Sequence, residues 1–185
     1  MALNKAQLKG DLEKIFDVDK NPKPAGPADT ANKIVSAIEK YLSPVKINKL
    51  AAPGINPTGT PDPAFVPTDL TPTKPIKLPA TKVALTSLLT AGSPTWASLA
   101  GTFTADMALA VAWKGAAGYI ATGAVVTPPI VLDPALASGM AGDGSKKVAK
   151  LMANIIHTGM TTSIFTGAYV KAAFVGPAPH VSSLK

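Results

Sequence analysis

Between Pro53 and Pro79 the chain reads PGINPTGTPDPAFVPTDLTPTKPIKLP, and eight of its 18 prolines fall there. Each proline fixes φ and removes a backbone donor, so neither a continuous helix nor a central strand survives such a density. The segment must run extended, as a spacer or a strap. Five apolar side chains, Phe65, Val66, Leu70, Ile76 and Leu78, are more than a solvated tether needs. They are candidate pegs, set to hold the strap against a neighbouring subunit, with a disordered tether as the alternative.

This segment divides the chain into three: residues 1–50, a proline-rich stretch at 51–80, and residues 81–185. In the first part, LNKAQLKGDLEKIF places Leu3, Leu8, Leu12, Ile15 and Phe16 at helical intervals, with Asn4 near the start. A second helix, ADTANKIVSAIEKYL, has Asp29 or Thr30 as its cap and ends before Pro44. The two form an N-terminal helical hairpin.

Beyond residue 81 the reading is again helical. It covers KVALTSLLTAG, then the stretch from Thr95 to Val125 behind a Ser93–Pro94 cap, then a short helix in DPALASGMAG. A last long helix spans Lys146 to Phe174, capped by Asp143 or Ser145. The expected fold class is therefore mainly α: a two-helix hairpin and a C-terminal helical bundle, joined by an extended segment. All three tyrosines, Tyr41, Tyr119 and Tyr169, have an aliphatic residue directly after them and another six places on (Ile47, Val125, Val175). This spacing suggests a repeated helical hairpin with each ring at a helix end, its hydroxyl wet.

Met107 to Val125 is apolar over nearly the length of a membrane span, with Trp113 and Tyr119 inside it. Lys114 near its middle costs about 3 kcal/mol in a bilayer. Small residues there suit close helix contact in either solvent, so a holin-like pore stays open as an alternative.

The chain carries 18 basic residues, every one a lysine, against 11 acids. Without the guanidinium fork and without a clustered arm, the charge points to solubility rather than to specific nucleic-acid reading. Cysteine is absent, which removes disulfide frameworks and thiolate metal sites. The N-terminus has no continuous apolar h-region, so synthesis in the cytoplasm is the default expectation. GMAGDGSKK lacks the adjacent Gly-Lys of a phosphate loop, and a helix cap accounts for it better. His157 and His180 have no carboxylate near them in sequence, Asp106, Asp133 and Asp143 are isolated, and no serine has a GxSxG frame. No catalytic residue, cofactor site or metal ligand is expected.

The opening LNKAQLKGDLEKIFD, the helix ADTANKIVSAIEKYLSPVKI and the closing GAYVKAAFVGPAP together resemble small alanine- and threonine-rich structural proteins of tailed bacteriophages. In that class a short helix precedes one ending in Tyr-Val or Tyr-Leu, followed by a glycine- or proline-rich exit. The resemblance implies a non-enzymatic virion protein of tail, baseplate or neck, made in the host cytoplasm and assembled with copies of itself and neighbouring virion proteins. A capsid-associated decoration protein is a further alternative. The candidate interface residues are the five pegs with Trp96, Trp113, Tyr41, Tyr119 and Tyr169.

Overall fold

The computed structural model describes residues 3–16, 24–50, 52–91, 97–110, 112–115, 118–127, 145–176 and 180–185. The expected helix at 133–142, the Ser93–Pro94 cap, Asp143 and Trp96 lie outside these residues.

Helices α1 (Lys5–Phe16) and α2 (Pro27–Leu42) occupy the expected N-terminal positions and pack together. Asn4 caps α1, its Oδ1 accepting the Gln7 amide at 3.1 Å. The start of α2 lies earlier than expected: Pro27 opens the helix behind Gly26, and Asp29 and Thr30 sit inside the first turn. Helix α3 (Pro79–Ala91) follows the proline-rich segment and α4 (Ala97–Ala110) comes next, while α5 (Ser145–Thr161) precedes the C-terminal strands. The helices pack in the series α5–α1–α2–α3–α4.

The second half of the chain departs from the mainly α expectation. Among the described residues six strands form one antiparallel sheet, so the protein combines helices with a sheet rather than carrying a C-terminal helical bundle. The strands are β1 (Thr71–Pro72), β2 (Trp113–Lys114), β3 (Ile120–Val126), β4 (Ile164–Lys171), β5 (Phe174–Val175) and β6 (His180–Ser183), in the order β1-β2-β3-β4-β5 with β6 also on β4. The Met107–Val125 stretch is thus divided among the end of α4, β2 and β3. Among the described residues no helix is long and apolar enough to cross a membrane.

The last helix stops at Thr161 for a local reason. Thr161, Thr162 and Ser163 turn their hydroxyls back onto the carbonyls of His157, Thr158 and Gly159 at 2.8, 2.7 and 2.7 Å. The Ser163 hydroxyl fills the Gly159 carbonyl that a further turn of helix would otherwise have used, because the Ser163 amide has turned to the Met160 carbonyl at 3.2 Å. The chain then enters β4, where Ile, Thr, Tyr and Val favour the pleated conformation. The closing GAYVKAAFV is a β4–β5 hairpin, not a helix exit. Its register pairs Val170 with Val175 and Lys171 with Phe174, and the turn places Ala172 at φ 49°.

The sheet closes on itself. Ile47 bridges to Leu70, just before β1, and to Leu184, just after β6. Backbone bonds between Lys46 and Lys185 (2.9 Å each way) and between Ile47 and Leu70 (2.9 and 3.0 Å) complete the ring. Lys185 also pairs with Asp69 at 2.7 Å. The inside is filled by Ile47, Leu70, Trp113, Ala121, Val125, Phe165, Tyr169 and Leu184, which belong to a core continuous with the buried faces of the helices. At the middle of β3 and β4, Gly123 faces Gly167. A Cβ on Gly123 would run into the Thr166 carbonyl, and one on Gly167 would meet both the Thr122 carbonyl and the Phe165 ring. The two strands lie too close there for any side chain on the inner face.

The start of α3 shows how the proline-rich segment is tied in. Pro79 has no amide to satisfy. Leu78 donates to Glu39 Oε1 at 3.0 Å, while Ala80 and Thr81 donate to the two oxygens of Asp106 at 2.9 and 2.8 Å. Two carboxylates, one on α2 and one on α4, therefore cap α3 from outside its own sequence. Asp106, isolated in the sequence, is 1 % exposed and serves as this cap.

Candidate interaction surface

The strap lies on its own chain. Ile55 adds to the free edge of β5 through two backbone bonds with Val175, at 2.8 and 3.0 Å. Asn56 folds the following turn, its Oδ1 accepting the amides of Thr58 and Thr60 at 3.1 and 2.8 Å. The next fastening is polar. Asp62, buried, accepts from the Tyr119 hydroxyl at 2.9 Å, from Lys171 Nζ at 2.8 Å and from the Ala64 amide at 2.9 Å. The Tyr119 hydroxyl in turn accepts the Gly54 amide at 3.0 Å, and the Tyr169 hydroxyl donates to the Ala52 carbonyl at 2.8 Å. Lys171 beside Asp62 holds that carboxyl below its usual range, and burial pushes the phenols of Tyr119 and Tyr169 up. Both Asp62 oxygens are engaged, so this cluster is a clamp joining strap to sheet.

The tyrosine pattern resolves differently from a helical repeat. Tyr41 sits in the last turn of α2, Tyr119 directly precedes β3, and Tyr169 lies within β4. All three rings are buried, and each hydroxyl bonds a partner far away in sequence. For Tyr41 that partner is His157 Nδ1 on α5, at 2.7 Å. Burial lowers the His157 pKa, with Lys5 adding to the effect, and raises that of Tyr41. Phe65, Tyr119, Tyr169, His180, Phe165 and Trp113 form a continuous run of ring contacts, with centroids 5.7 to 6.2 Å apart.

The other sequence candidates also lie mostly inside. Leu70, Ile76, Leu78 and Trp113 are buried in this chain's own core, and Phe65 is half-buried against Tyr119. Val66, 54 % exposed, is the peg left at the surface. An open cleft of about 620 Å³ between α2 and residues 72–77 is lined by Glu39, Lys40, Lys74 and Lys77. Its acid is already taken by Lys77 and the Leu78 amide. Among the described residues, no group of three or more His, Asp or Glu is placed to hold a metal ion.

What the sequence reading missed is the outer side of the sheet. Register and burial place Ala121, Gly123 and Val125 of β3 inward, with Phe165, Gly167 and Tyr169 of β4. Their neighbours point out: Ile120, Thr122, Ala124 and Val126 on β3 lie beside Val170, Ala168, Thr166 and Ile164 on β4. Val175 on β5 and Val181 on β6 extend the same side, opposite Val170 and Thr166. Val126, Ile164, Val170, Val175 and Val181 are 55, 48, 43, 52 and 62 % exposed. None of these outward positions on β3 to β6 is charged, in a chain with 29 charged Lys, Asp and Glu (18 + 11). The nearest cation in the ladder is Lys114, opposite Ile120 at the β2 margin. Scattered exposed aliphatics are ordinary; a contiguous uncharged stripe of them marks a surface that another molecule covers.

No protein-family model, curated protein or solved structure matches this chain.

Proposed function

We propose that this protein is a non-enzymatic assembly component, a structural protein of a tailed-bacteriophage virion, which joins its neighbours through the outer face of β3 to β6. The observation that carries the reading is the uncharged, β-branched stripe across four strands. A free-standing solvated sheet places polar side chains on its outer face. Here that face carries valine, isoleucine, alanine and threonine, while the polar chemistry inside the molecule is spent on fastening the strap and capping α3. The N-terminal helices at the positions of the phage-like motif support the virion assignment. The GAYVKAAFV end contributes a hairpin to the face instead of a helix exit.

The test is incorporation. Virions purified from an infected host on a density gradient are expected to contain the chain by mass spectrometry. An Ile164→Lys/Val181→Lys variant, supplied in place of the wild type at equal level, is expected to be left out. Absence of the wild-type chain from particles rejects the virion reading, and unimpaired incorporation of the double variant rejects the face as its point of attachment.

A further inference from the structure

We propose that the occupant of the outer sheet face is a second copy of this chain, packed sheet against sheet. The inference rests on the assembly reading above and names the partner.

Area argues for it first. A fully exposed valine or isoleucine presents about 150–175 Å², so the five exposed fractions amount to roughly 400 Å² of apolar surface. A standard interface covers about 800 Å² per partner, of which roughly 56–65 % is apolar. Ile120, Ala124 and Ala168 on the same side bring the face close to that share. The apolar area of the stripe therefore approaches the apolar share of one half of a stable interface.

Charge argues for it next. The chain carries a formal net charge of +7, yet among the described residues of the ladder the outer side of β2 to β6 carries one lysine, Lys114 at the margin. An anionic partner, nucleic acid or acidic protein, would bury its charges against valines with no cation to meet them. A neutral apolar sheet face has no such mismatch. This chain itself carries one, and a two-fold pairing sets the same uncharged patch against itself with no like charges in register. The exposed hydroxyls of Thr122 and Thr166, amid the small side chains of Ala124 and Ala168, allow close approach and supply polar pairs across the seam. Two sheets meeting this way sit about 10 Å apart, with their strands about 30° from aligned.

Because the chain carries a net positive charge, copies repel one another at long range while the face attracts at contact. Salt screens the first effect and leaves the second intact. Self-association is therefore expected to tighten as sodium chloride rises, whereas an interface built on opposite charges loosens.

Sedimentation velocity and native mass spectrometry on the full chain, from about 1 to about 200 µM, provide the test. The wild type is expected to dimerise within that range, more tightly at about 500 mM than at about 50 mM salt. Ile164→Lys/Val181→Lys is expected to raise the dissociation constant by about 100-fold or more. Circular dichroism should show the variant folded, since both side chains start exposed. Val83→Lys, at an exposed valine on helix α3, which packs on α2 and α4, is expected to associate like the wild type. A wild type that stays monomeric throughout, or a folded double variant that associates unchanged, overturns the proposal. A monomeric wild type that still enters virions through this face leaves the assembly reading standing and removes the second copy as the partner. A dimer absent from virions does the reverse.

Discussion

Replacing Asp106 with alanine isolates the cap that joins α4 to α3. The carboxylate accepts the half-buried Ala80 amide at 2.9 Å and the buried Thr81 amide at 2.8 Å, at a helix start where Pro79 contributes no donor. Loss of an N-cap costs about 0.5–2 kcal/mol, and each buried donor left without a partner about 1–3 kcal/mol. These are partly the same energy, and removing a buried charge returns some of its desolvation cost, so about 2–4 kcal/mol is expected for Asp106→Ala. For a chain of this length that is about 5–15 °C in Tm. Asp106→Asn keeps one acceptor oxygen and should lose about half as much. Denaturant melts give the size, and hydrogen exchange gives the place: amides at residues 80–84 should lose protection first. A change below about 0.5 kcal/mol, or exchange rising elsewhere with the start of α3 still protected, would refute the tertiary cap.

Three other perturbations follow from the geometry. Gly123→Ala or Gly167→Ala should cost more than about 3 kcal/mol, because the added methyl meets backbone that cannot move without parting β3 from β4; thermal melts would read it. Ala172→Gly should stabilise by about 0.5–1 kcal/mol by relieving the φ of 49° in the β4–β5 turn, measured as a higher denaturant midpoint. His157, held neutral by burial with Lys5 beside it and hydrogen-bonded to Tyr41, has a folded pKa below its ordinary 6.5. The unfolded chain therefore takes up the proton more readily. The stability this contributes is complete above about pH 6.5 and is lost as pH falls through the lowered value, so Tm should drop between pH 7.5 and 5.5, and His157→Gln should flatten that part of the slope.

The helices were the legible part of the sequence because their apolar residues recur at the right spacing: Leu8 and Leu12 on α1 are buried, and Ile34, Ile38, Tyr41 and Leu42 are among the buried residues of α2. The sheet was hidden by the feature proposed as its function. In β3 the inward residues, Ala121, Gly123 and Val125, are no more apolar than the outward Ile120, Ala124 and Val126, so the two-residue alternation that announces a strand is erased. In β4 the inward side even includes Gly167 and Lys171, while Ile164 and Val170 face out. Alanine and threonine then let the stretch pass for helix. The signal that remained was the β-branched Thr161, Thr162, Ile164 and Thr166, followed by Gly167 and Val170. The Asp62 clamp was invisible for a different reason. Its members, Gly54, Asp62, Tyr119 and Lys171, are ordinary residues until topology brings them together.

The closure of the ring through Ile47 has a consequence for synthesis. Lys46 and Ile47 are made early, yet their partners Leu184 and Lys185 are made more than a hundred residues later, and Ala52, Ile55 and Asp62 wait similarly for Tyr169, Lys171 and Val175. While the ribosome is still translating, the proline-rich segment has no surface to lie on and the helices have no sheet to cover. Pairing over such distances makes a slow folder, and its aliphatic strands stay open to other nascent chains until the final stretch emerges. Helpers that shield newly made polypeptide should therefore matter more to the yield of this protein than the temperature at which the finished fold melts.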